Sequence, residues 1–95
     1  MAVERVASLG LGEFRRHLPY ALRGLAHHWA DERSVIAVTQ WGKVSLVVEE
    51  LEALTLSGAL SLPRLRIAMA FEGGSEAQHA AFVAVYDRAF QRGGG

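Results

Sequence analysis

The chain has 95 residues, 51% of them hydrophobic, ten basic residues against ten acidic ones, and no cysteine. This composition predicts one small cytoplasmic domain and excludes a disulfide scaffold, a thiolate metal site and a bilayer-spanning run of about 20 apolar residues. So high an apolar content in so small a body indicates that another chain covers part of the surface.

The N-terminal third predicts a strand followed by an amphipathic helix. Residues 3–9 fit a short strand, and Gly10 and Gly12 separate it from the helix. Pro19 predicts either a kink or a helix that restarts at the proline, and the helix should end near Ala30. One face of this helix carries apolar residues three or four positions apart, namely Phe14, Leu18, Leu22, Leu25 and Trp29.

A β-hairpin is predicted next, from residues 35–39 and 44–48, which are rich in β-branched side chains and flank a turn at Trp41-Gly42. Both faces of this hairpin are apolar, since Ile36 and Val38 point one way and Val35 and Ala37 the other. A sheet with one solvated face should instead alternate apolar with polar residues. The pattern therefore predicts a homodimer, with one face on the protein's own helices and the other on a second subunit.

Three helices are predicted after the hairpin. The first begins with glutamates, which the helix dipole favours there, and ends near Gly58. Pro63 can open the second. Ser75 and Gln78 form a capping box for the third, over residues 76–91. The apolar residues of these late helices fit a buried core and a partner surface equally well.

The sequence contains no arrangement of residues that predicts an enzyme. The four histidines, at 17, 27, 28 and 79, lack a metal-ligand spacing and fit surface or loop positions better than a metal site. No phosphate-binding glycine loop and no Ser-His-Asp arrangement is present. We therefore expect no catalytic residues, no metal and no cofactor.

Two features have both a functional and a structural interpretation. Arg15 and Arg16, near the start of the first helix, could grip a DNA backbone or lie on a solvated helix face. Trp41, at the hairpin tip, could stack on a ligand or fold back onto the sheet edge.

Several segments in order resemble the prevent-host-death (Phd/YefM) antitoxins over about residues 3–56. The matching segments are Glu13-Phe14-Arg15-Arg16-His17-Leu18, Val38-Thr39-Gln40-Trp41-Gly42-Lys43, the strand 44–48 and Glu50-Leu51-Glu52-Ala53-Leu54. The resemblance implies an α+β fold with a short N-terminal strand, a helix, a β-hairpin and C-terminal helices, in which paired sheets form a dimeric platform. Residues 1–58 would be the dimerising, DNA-binding core, and residues 59–95 a helical extension that binds the toxin.

The resemblance also implies a function, that of an antitoxin that neutralises a cognate toxin and represses its own operon. DNA contacts would come from Arg5, Arg15, Arg16 and Lys43. Toxin contacts would come from Leu65, Met69, Phe82, Val85, Tyr86 and Phe90. Gln40 and Trp41 stand where the family usually has an arginine, so the alternative is a dimeric protein-interaction module that no longer binds DNA.

Overall fold

The computed structural model describes the backbone of residues 2–94 and the side chains of residues 2–91. The architecture is α+β, with a five-stranded antiparallel sheet in the order β1-β5-β4-β3-β2 and two helices on one of its faces. The elements are β1 (Ala2–Ala7), α1 (Leu11–Leu22), β2 (His27–Asp31), β3 (Ser34–Val38), β4 (Gly42–Ser57), β5 (Leu60–Gly73) and α2 (Glu76–Gly94).

Three predicted elements are confirmed: the N-terminal strand, the hairpin of β3 and β4, and the last helix. The hairpin pairs Val38 with Lys43 around the predicted turn. At the start of α2, the Gln78 N–H donates to Ser75 Oγ at 3.2 Å, and the Ser75 N–H donates to Gln78 Oε1 at 2.8 Å. This reciprocal pair is the capping box that the sequence predicts.

The first helix is shorter than predicted, because it ends at Leu22 rather than near Ala30. Arg23 and Gly24 both have positive φ, 53° and 80°, which stops the helix. Pro19 lies inside the helix and does not break it. Residues 27–31 form β2 instead. Trp29 therefore belongs to a strand, and its position fits the helical spacing of the preceding apolar residues only by coincidence.

The prediction of a helix directly after the hairpin is wrong, since β4 continues to Ser57. Residues 50–54 are good helix formers, but β5 pairs with them and supplies cross-strand partners. Arg66 of β5 donates to Glu49 at 2.8 Å. Tertiary pairing therefore overrides local helix propensity here.

The prediction of a helix that begins at Pro63 is also wrong, because Pro63 lies within β5. It sits where the β4–β5 register shifts, between the pairs Leu51–Arg64 and Leu54–Leu62. At such a bulge a proline removes no ladder hydrogen bond. Strand β5 lies between β1 and β4, so the segments 1–58 and 59–95 share one sheet.

The core is a single layer between the sheet and the two helices. Phe14 of α1 is fully buried, stacks on Phe90 of α2 at 5.3 Å and meets the edge of Trp29 at 6.5 Å. The sheet contributes alternate residues, among them Leu46 and Ile67, which are also fully buried. Among the described residues, no helix is long and apolar enough to cross a membrane.

Glycines close the end of the sheet next to α2. A Cβ on Gly42 would lie 1.8 Å from the carbonyl oxygen of Glu72, and a Cβ on Gly74 would lie 2.4 Å from the Trp41 ring. Gly74 also has a φ of 81°, which side chains rarely adopt. Gly42 therefore lets the two strands approach closely, and Gly74 leaves room for the Trp41 ring.

We expect Gly42→Ala to lower the free energy of unfolding by at least about 2 kcal/mol, because the methyl group would collide with backbone that cannot move cheaply. Chemical denaturation measures the change. The matched control is Gly12→Ala in α1, where a Cβ meets nothing within 4 Å and the helix gains roughly 0.5 kcal/mol. Equal stability of the two variants would contradict the close approach at Gly42.

Candidate interaction surface

The sheet face opposite the helices, here called the open face, is not covered by any described part of the chain. Val6, Val38 and Val47 lie on it and are 58%, 44% and 48% exposed. The strand alternation and register place Ile36, Ser45, Ala68 and Ala70 on the same side. The centre of the open face is therefore built from apolar and small side chains, as a protein interface is.

Charged residues surround this apolar centre and balance one another. Arg66 donates to Glu49 at 2.8 Å and lies 4.0 Å from Glu4. Lys43 and Glu72 are cross-strand neighbours. With Arg64, strands β1, β4 and β5 carry three basic and three acidic side chains on the open face, so this part of it has no net charge with which to attract a polyanion.

Beyond residue 51, β4 and β5 continue as a two-stranded arm, defined here as residues 51–64. Strand β4 has sixteen residues, about 50 Å at roughly 3.3 Å per residue, and the molecule measures 47 × 25 × 22 Å. Leu54 and Leu60 of the arm are 44% and 56% exposed. The long axis of the molecule thus follows a hairpin whose tip exposes leucines.

The predicted DNA contacts do not form one surface. Arg5 points to the helices, where its guanidinium donates two hydrogen bonds to Asp87 at 2.9 and 3.0 Å. Arg15 lies on α1, 4.4 Å over the Trp29 ring, and Arg16 is exposed beside it. Lys43 lies on the open face, on the other side of the sheet. The arginines of α1 and the lysine therefore point in opposite directions.

The predicted toxin contacts divide into buried and accessible residues. Leu65, Met69 and Tyr86 belong to the chain's own core, at 1%, 0% and 3% exposure, so they offer no surface to a partner. Phe82 and Val85 are half-buried and line a groove of about 420 Å³ between the end of α1 and α2. Phe90, also half-buried, stacks on Phe14. The other residues along the groove include Leu22, Leu25 and Trp41.

The Trp41 side chain folds back onto the protein, as in the structural interpretation of this residue, and does not project from the hairpin tip toward a ligand. Its ring lies 5.2 Å from His79 and 6.5 Å from Phe71. His79 is buried, contrary to the prediction of surface histidines, and its Nε2 is 2.7 Å from the Gly73 carbonyl oxygen. Phe71 stacks on it at 4.5 Å. Among the described residues, no three His, Asp or Glu side chains are grouped as metal ligands.

The arm is not among the predicted elements, although the residues carry a pattern that predicts it. Leu54 and Leu56 precede Gly58, Leu60 and Leu62 follow it, and Thr55 and Ser61 lie between the leucines. This is a period of two on both sides of a glycine, which is typical of a β-hairpin. Glutamates at 49, 50 and 52 favoured the helical interpretation instead.

No protein-family model, no curated protein and no solved structure matches this chain. The resemblance to the antitoxins therefore depends on the sequence motifs alone. Of these motifs, the hairpin forms as predicted, whereas residues 50–54 lie in a strand.

Tyr86 makes the stability of the fold sensitive to alkaline pH. Burial raises the pKa of Tyr86 above its ordinary value, the Asp87 carboxylate raises it further, and Arg5 partly offsets this. The unfolded chain then releases the phenolic proton at a lower pH than the folded chain. Because the unfolded state binds fewer protons above about pH 10, stability must fall as the pH rises beyond that point.

We expect the wild-type protein to lose up to about 1.4 kcal/mol of unfolding free energy per pH unit above pH 10 through this group. Tyr86→Phe should remove that part of the slope, as measured by urea denaturation between pH 9 and pH 11.5. Tyr20→Phe is the control, because Tyr20 is 75% exposed. A Tyr86→Phe profile as steep as that of the control would show that Tyr86 is not the group responsible.

Proposed function

We propose that this protein is a non-enzymatic protein-interaction module that acts as a homodimer, with the open faces of two copies packed against each other. The observation that carries the proposal is the open face itself, which is apolar at its centre, charge-balanced around it and uncovered by the chain's own helices. A surface with no net charge can meet a second copy of itself without repulsion.

The composition supports the same arrangement. Packing the helices on one sheet face buries or half-buries alternate residues of the strands, yet the remaining positions include Val6, Val38 and Val47. Removing apolar surface from water stabilises a complex by roughly 25 cal/mol per Å² before the costs of association. Face-to-face sheets also interdigitate their side chains at a spacing of about 10 Å, which small residues such as Ala68 allow.

Val47→Lys, at the centre of the open face, should weaken the dimer at least tenfold, because the interface would then hold an unpaired charge. Sedimentation equilibrium over a concentration series measures the dissociation constant. Tyr20→Lys is the matched control, since it adds the same charge at an exposed position of α1. A wild-type chain that remains monomeric at high micromolar concentration would contradict the proposal.

The second candidate function is that of an antitoxin, in which the same dimer neutralises a toxin. The groove lined by Phe82 and Val85 favours it, because the groove lies in the helical layer and stays accessible when the open faces pair. Operator binding receives less support. Packing open face to open face puts the two helical layers on opposite outer sides, so the two copies of Arg15 and Arg16 would not share one DNA segment.

For the antitoxin function, we expect the product of an adjacent toxin-like reading frame to co-purify with the chain. Phe82→Arg with Val85→Arg should abolish the complex, while Ala80→Arg, at an exposed position of α2, should preserve it. DNA from the chain's own promoter should bind no better than random DNA in mobility-shift titrations. If the chain instead prefers its promoter, and the double variant Arg15→Ala with Arg16→Ala loses that preference, the result would support an autorepressor over a module that does not bind DNA.

A further inference from the structure

We infer that the arm, residues 51–64, clasps the second copy of the chain, with its leucines packed against the partner and its polar side facing water. This inference rests on the proposed dimer and deepens it, because it assigns the arm to the same interface. It is carried by the side of the arm on which the leucines lie, by their exposure and by the lack of charge along the tip.

The leucines lie on the same side as the open face. On β5, Leu60, Leu62, Arg64 and Arg66 are alternate residues and therefore point to one side of the strand. Arg66 pairs with Glu49 on the open face, so this side is the open-face side. Leu54 is directly opposite Leu62 and extends the same surface across the arm. We call these three leucines, at 54, 60 and 62, the leucine face.

The other side of the arm carries hydroxyl side chains next to the leucine pair. Thr55 pairs with Ser61 at the next position of the ladder and points away from the leucine face. Thr55 and Ser61 are exposed, and hydroxyl side chains are suited to contact with water. At these paired positions the two sides of the arm thus differ in polarity, as expected if a partner covers only the side that continues the open face.

The size of the interface also favours a role for the arm. Five strands about 4.8 Å apart and roughly 17 Å long give the open face a projected area of about 400 Å². Stable interfaces bury about 800 Å² of accessible surface on each partner. The leucine face adds roughly 200 Å² in projection. Because accessible area exceeds projected area, the two surfaces together approach what a stable dimer requires.

Charge identifies the occupant as a second copy. Residues 54–62 contain no charged side chain, and strands β1, β4 and β5 of the open face that they extend carry three charges of each sign. A strongly acidic or basic partner would find no complementary net charge on this surface. A second copy matches it, since it brings the same balanced, apolar surface. An isolated two-stranded hairpin is also marginally stable in water, so the arm gains order when a partner packs on it.

The test compares two paired substitutions on opposite sides of the arm. Leu54→Lys with Leu62→Glu places an ion pair on the leucine face, and Thr55→Lys with Ser61→Glu places the same pair on the polar side. Because opposite charges across the strands attract, each paired substitution should preserve the hairpin itself. In sedimentation equilibrium, the first variant should weaken the dimer at least tenfold and the second should change it less than twofold.

A second measurement leaves the leucine face largely intact. The chain has no cysteine, so Leu60→Cys and Ser61→Cys each provide one labelling site on opposite sides of the arm. An environment-sensitive fluorophore should shift to the blue with rising protein concentration at position 60 and remain unchanged at position 61. Equal responses at the two positions, or equal effects of the two paired substitutions, would overturn the inference.

The two proposals fail in distinguishable ways. If Val47→Lys dissociates the dimer while the leucine-face variant leaves it intact, the open faces pair but the arm does not take part, and the inference is overturned. If the wild-type chain is monomeric at every concentration, both proposals are wrong. If a different protein shifts the fluorophore at position 60 while added unlabelled chain does not, the occupant is not a second copy and the inference is again overturned.

Discussion

The antiparallel pairing of β4 with β5 organises the whole fold. It runs from Gly42–Gly73 at one end to Ser57–Leu60 at the other. It places the two longest strands at the centre of the sheet, with β1 and β3 added on either side. Its register also decides which residues face the helices, because a shift by one position would exchange the two sides of both strands.

Both faces of the sheet follow from that register. On one side, Leu46 and Met69 meet α1 and α2 in a dry core. On the other side, Val47 and Ala68 are neighbours on a surface that no described element of the chain covers. Within residues 2–94, two helices cover the five-stranded sheet, and both lie on the same face. The uncovered face is therefore a consequence of the topology.

The same pairing relocates the residues that the antitoxin resemblance implied for function. Leu65 and Met69 become core residues once β5 joins the sheet, and Arg5 joins an ion pair with Asp87 between β1 and α2. Two surfaces remain accessible to a partner, namely the groove in the helical layer near Phe82 and the apolar open face. Both are suited to protein partners, and neither concentrates positive charge.

The elements that could be predicted from the residues alone are those whose signals are local. The capping box of Ser75 and Gln78 and the β-branched strands of the 35–48 hairpin depend on neighbours within a few residues, so they could be read directly. The conformation of residues 49–57 could not be predicted in this way, because helix propensity is worth a few tenths of a kcal/mol per residue and pairing with a distant strand outweighs it. The open face and the arm depend on that long-range pairing.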